Sequence, residues 1–151
     1  MTLNSVSMWD DALLDAAMIA NSEGTFDVKI IPQAAETAAA GEIIARMLLD
    51  KRFHGALDAT SMGQMLAMRS KIAGSAGYVA MELVQGTLAG RVGSFVLQHS
   101  GSMNRGAATL SLTVVADSGT DALEGLDGSM QIIISEGTHI YKFDYSLPDL
   151  G

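Results

Sequence analysis

The sequence predicts an all-β protein: a closed antiparallel barrel of about eight strands, preceded by a short N-terminal helix or flexible extension. Three observations carry this expectation. From Glu23 onward the apolar pattern changes from a helical period of 3.6 to a period of 2. Most of the alternating segments are joined by short turn-like connections, which pair neighbours antiparallel. Several segments are apolar on both faces, and a closed barrel buries one face while removing exposed edges. A two-layer sandwich is the alternative packing of the same strands.

The elements follow in order. Ser7 with Asp10 three residues later resembles a capping box, and acids in a first helical turn favour the helix dipole. Trp9, Leu13, Ala16, Ala17 and Ala20 recur at helical spacing, which predicts an amphipathic helix over 8–20 ended by Asn21-Ser22. An isolated helix of this length is marginal in water, so a flexible extension is the competing reading of residues 1–22. G-T-F-D-V-K-I-I predicts a first strand over 24–31, stopped by Pro32. Strand character returns over 43–54, and again from Ala56 to about Ser70, where Gly63 suggests a bulge. Residues 78–88 form a clear strand. Ala89-Gly90 fits a two-residue hairpin turn, with Gly supplying a positive φ. Strands follow at S-F-V-L-Q-H, A-T-L-S-L-T-V-V, M-Q-I-I-I-S and H-I-Y-K-F-D-Y, with turns at Asn104-Arg105-Gly106 and Glu136-Gly137. The barrel domain therefore spans 23–147, with a tail at 148–151.

A chain of 151 residues suits one core. Only 17% of its residues are charged, against about 25% in an ordinary soluble domain. The sparse charge calls for a large core, a cavity or a subunit interface. The net charge of −8 and the absence of a basic run oppose nucleic acid and anionic membranes as partners. No apolar run is long enough to span a bilayer as a helix, and M-T-L-N-S-V-S-M-W-D-D lacks the basic start of a secretory signal. With no cysteine, disulfides and thiolate metal ligands are excluded, and a cytoplasmic location is expected.

The runs Y-V-A-M-E-L-V-Q-G-T-L-A-G-R-V-G-S-F-V-L-Q-H-S-G and V-V-A-D-S-G-T-D-A-L-E-G-L-D-G resemble an uncharacterised bacterial family grouped with the allene oxide cyclase-like barrels. G-T-F-D-V, D-K-R-F-H-G, A-T-S-M-G and Y-K-F-D-Y extend the resemblance from Glu23 to Ser146. It implies a small closed barrel and no transferable activity, because fold does not carry function. The chain departs from the family pattern at Ala56, where an acid is usual, and at Asp121, where Gly is usual. The first 22 residues have no counterpart.

Candidate site residues come from strand parity. A two-residue turn at Ala89-Gly90 puts Glu82 opposite Leu97 and Ala80 opposite His99. Tyr78, Glu82, Phe95, Leu97 and His99 then share one face; Met81, Leu83, Gln85, Val96 and Gln98 share the other. Glu82 and His99 become diagonal neighbours inside the barrel, placed for acid–base work, ligand anchoring or a structural contact. On the last strand His139, Tyr141, Phe143 and Tyr145 share a face. Aromatics with polar tips suit a cavity that holds an apolar ligand, or ordinary core packing. The ligand-binding candidates are Tyr78, Glu82, Phe95, His99, His139, Tyr141 and Tyr145. His54, His99 and His139 fit no metal motif, and no nucleotide or nucleophile-elbow motif occurs, so neither metal nor cofactor is expected.

Three functions compete: a barrel binding a small apolar molecule, an isomerase or cyclase-like enzyme using Glu82 with His99 or Tyr78, and a structural barrel. Outward-facing Met81, Leu83 and Val96 would call for a homo-oligomer, expected as a dimer.

Overall fold

The computed structural model describes residues 19–34 and 43–148. Eight strands form a closed barrel in sequence order, each antiparallel to its neighbours. They are β1 (Ala20–Gln33), β2 (Ala45–Gly55), β3 (Leu57–Arg69), β4 (Ala76–Leu88), β5 (Arg91–Asn104), β6 (Ala107–Val114), β7 (Asp127–Ser135) and β8 (Thr138–Ser146). Among the described residues no helix is long and apolar enough to cross a membrane.

The hairpin geometry follows from the turn residues. Ala89 and Gly90 both have positive φ, 49° and 82°, and Leu88 pairs with Arg91. Positive φ at both central positions matches the twist of the flanking strands, and glycine adopts it without steric penalty. Arg105-Gly106 and Glu136-Gly137 repeat the pattern.

The up-and-down topology gives the barrel two ends. The β1–β2, β3–β4, β5–β6 and β7–β8 connections lie at one end; the remaining connections lie at the other. The second end is closed. Phe53, Leu57, Leu88, Phe95, Tyr141 and Phe143 fill its lumen, and Leu123 and Leu126 of the β6–β7 connection join the same cluster. Ser94 and Val96 bind that connection through the hydroxyls of Thr120 and Ser118, at 3.0 Å each. A 3-10 turn at Asp121–Leu123 shapes it, and Asp121 holds φ 54°, which explains why glycine suits this position.

Some sequence expectations need correction. β1 begins at Ala20, where it pairs with Tyr145, so Asn21 and Ser22 continue a strand rather than end a helix. Residues 8–18 of the predicted helix lie outside the described residues. Gly63 makes no bulge: Leu49 lies opposite Gly63, and Gly63 opposite Glu82, in unbroken register. A Cβ at Gly63 would lie 2.6 Å from the Met81 carbonyl oxygen and 2.7 Å from the Glu82 Cβ. The glycine is there to admit the neighbouring strand. The thinnest seam joins β6 to β7, where the register is Thr113 opposite Ser129.

Candidate functional site

Among the described residues the first end of the barrel is open. Its inward positions alternate along each strand as a pleated sheet requires, but many hold small residues: Ala45, Ala67, Gly101 and Ala108. Too little side-chain volume projects inward to fill the lumen. A cavity of about 820 Å³ remains, lined by Met47, Met65, Tyr78, Met103 and Leu110 among others. That lies within the range of about 300–1,000 Å³ usual for small-molecule sites. Leu110 is 45% exposed and Met103 39%, so the cavity opens to solvent.

Below the cavity lies a layer of polar side chains. Lys51, Ser61, Glu82 and His99 are all buried and inward. The Glu82 carboxylate accepts hydrogen bonds from Lys51 Nζ at 3.0 Å, Ser61 Oγ at 2.7 Å and His99 Nε2 at 2.6 Å. Burial pushes the Glu82 carboxyl upward, but the His99 hydrogen bond, the Lys51 and His99 charges and the Ser61 hydrogen bond outweigh it. Together they hold it down at about 2. Lys51 Nζ also sits 4.9 Å from the centre of the Phe26 ring, a cation–π contact.

The layer continues upward into the cavity. An ionised carboxylate only accepts, so His99 Nε2 carries a proton. Its other ring nitrogen, Nδ1, lies 3.4 Å from Tyr78 Oη. Tyr78 lines the cavity. Burial and the nearby Glu82 charge push its hydroxyl pKa up, so it stays protonated at neutral pH. A chain of polar groups therefore runs from Lys51 through Glu82 and His99 to the one phenol that meets the cavity.

The predicted candidates divide between the two halves. Tyr78, Glu82 and His99 come together as parity required, and Gln98 faces outward. Phe95, Tyr141 and Tyr145 do not join them: they are buried in the closed half, with Phe95 stacked on Phe143 at 5.8 Å. Tyr141 Oη is engaged by the backbone, donating to the His54 carbonyl at 2.9 Å. His139 packs on Phe26 at 5.1 Å between ring centres. His54 pairs with Asp27 on the surface, so the three histidines do not converge. Among the described residues no three metal-ligating side chains group together.

Lys51 and Ser61 were missed. Lys51 shares parity with the core residues Leu49 and Phe53, which was the available signal, but it stands between the charged Asp50 and Arg52. On the outside, Met81 is 50% exposed and Leu83 43%, alongside exposed Met62, Leu66 and Val79.

The family model for "Protein of unknown function (DUF3224)" matches residues 22–145. The chain belongs to the DUF3224 family. A crystal structure of a DUF3224 protein of unknown function from Shewanella oneidensis MR-1 is similar to it, with 46% identity and a TM-score of 0.80. The match covers 86% of this chain and 99% of that one. No curated protein matches. The DUF3224 match includes every residue of the polar layer, together with Tyr78.

Proposed function

We propose that this DUF3224 barrel binds a small apolar molecule in its open end, with the Tyr78 hydroxyl as the deep hydrogen-bonding group. The open, apolar cavity of about 820 Å³ above a buried polar layer carries the reading. Both the volume and the single deep donor suit a ligand that is mostly hydrocarbon. The neutral dye N-phenyl-1-naphthylamine tests this. Its fluorescence should rise on adding the protein and not on adding an Ala67→Trp variant, whose indole fills the lumen. Equal enhancement by both proteins, or none by either, would contradict the proposal.

The Glu82–His99–Tyr78 chain supports a second reading, an isomerase or cyclase-like activity on a hydrophobic substrate. A carboxylate hydrogen-bonded to an imidazole whose other nitrogen meets a hydroxyl is a proton-transfer arrangement. The grouping with allene oxide cyclase-like barrels is supported by the eight-stranded antiparallel meander. A cytoplasmic location is supported by the absence of cysteine. We propose further that a second copy covers the outer face of β3–β5. The patch of Met62, Leu66, Val79, Met81 and Leu83 carries no charge in a chain of net charge −8, so the face can meet its own copy without charge repulsion across the contact.

A further inference from the structure

Charge is distributed unevenly along the barrel axis. Between Asp58 and Asp117 the chain holds one acid, Glu82, which is buried and paired. The same stretch places Arg69, Lys71 and Arg105 at the open end. Arg69 closes β3 and lines the cavity. Lys71 lies in the β3–β4 connection and Arg105 in the β5–β6 turn, and all three are exposed. The two turns are tied together. Arg105 N donates to Ser75 Oγ at 3.0 Å, and Gly106 N donates to the Gly74 carbonyl at 3.0 Å. The three cations thus share one arc of the rim.

None of the three forms an ion pair among the described residues. Glu136, in the β7–β8 turn, is the acid at this end among those residues; the β1–β2 connection, with Glu36 and Glu42, lies mostly outside them. The closed end has the opposite character. Asp117, Asp121, Glu124 and Asp127 lie in or beside the β6–β7 connection. A protein of net charge −8 therefore turns a cationic arc toward the entrance of its apolar cavity.

We infer that the ligand is an amphiphilic anion: a hydrocarbon body in the cavity, with an anionic head at the Arg69–Lys71–Arg105 rim. The inference rests on the cavity being the binding site and adds the chemistry of the ligand's outer end. Unpaired cations at an entrance favour a negative head over a neutral one, through contact and through the local field. The rim is solvated, so the preference weakens with salt.

Displacement of N-phenyl-1-naphthylamine by dodecanoate and by dodecanol tests the assignment, because the two probes share a chain length and differ in the head. Dodecanoate should bind about tenfold more tightly at low salt, and the gap should narrow between 50 and 500 mM NaCl, concentrations of roughly 14 and 4 Å screening length. The triple variant Arg69→Gln/Lys71→Gln/Arg105→Gln should lose the gap while still binding dodecanol. Lys142→Gln, on β8 and outside the cavity lining, should keep it. Equal affinities in the natural protein, or a gap that survives the triple variant, would overturn the anionic head and leave the cavity reading standing. Failure of both probes and of the dye would overturn the cavity reading, and the head-group assignment with it.

Discussion

Lys51 and Glu82 meet at 3.0 Å in an interior where neither charge would persist alone. Removing Lys51 takes away a buried countercharge and leaves the buried Glu82 carboxylate to the Ser61 and His99 hydrogen bonds. Lys51→Met should therefore destabilise the barrel by about 3–5 kcal/mol, read from the urea midpoint at constant m-value. A loss under about 1 kcal/mol, the range of an exposed pair, would contradict this. The pH dependence follows from the depressed Glu82 carboxyl, held at about 2 against an ordinary 4.5. Below pH 4.5 the unfolded chain takes up a proton that the folded state refuses, so stability falls with pH. The contribution of this group is full above about 4.5 and lost as pH falls through about 2. Urea midpoints at pH 5, 4 and 3 should fall more steeply in the natural protein than in Glu82→Gln. Parallel slopes would contradict the assignment. At this scale the Glu82–His99 contact was legible because a two-residue turn fixes both register and parity. Lys51 was not, because its sequence neighbours Asp50 and Arg52 are charged and hide its inward parity.

The hairpin turns are where element geometry can be improved. Ala89 holds φ 49°, a left-handed conformation that disfavours most L-residues and that asparagine tolerates better. Ala89→Asn should stabilise the β4–β5 hairpin by about 0.5–1 kcal/mol, a rise of roughly 1–4 °C in Tm for a domain of this size. An unchanged or lower Tm would contradict the turn assignment. The turns were legible because X-Gly pairs sit between alternating runs. The Gly63 contact was not, since the sequence alone does not distinguish a glycine that kinks its own strand from one that admits a neighbour. Strand ends were also short-read: β5 runs from Arg91 to Asn104, well beyond the S-F-V-L-Q-H core. Glycine and serine at its ends lower local strand propensity, and pairing with β4 on one side and β6 on the other overrides it.

At the scale of the whole molecule, the barrel was legible from period, turn length and two-sided apolar strands. Which end opens was not. That depends on the β6–β7 connection delivering Leu123 and Leu126 to one lumen while small residues leave the other unfilled. The aromatic face of β8 drew attention to Tyr141 and Tyr145, which pack the closed half. Outside, Met81 and Leu83 face solvent as parity required. If a second copy covers them, sedimentation should give a dimer mass for the natural protein and a monomer mass for Met81→Lys/Leu83→Lys. A monomer in both would contradict the interface.

The methionines report on every part of this architecture. Met47, Met65 and Met103 line the cavity, Met62 and Met81 lie on the outer face, and Met130 is in the closed core. The decisive measurement is a titration of methyl-labelled methionine resonances with dodecanoate. Selective, saturable shifts of Met47, Met65 and Met103, with Met62, Met81 and Met130 unmoved, are the predicted result. Shifts centred on Met62 and Met81, or no shift at the cavity methionines, would contradict the open end as the binding site.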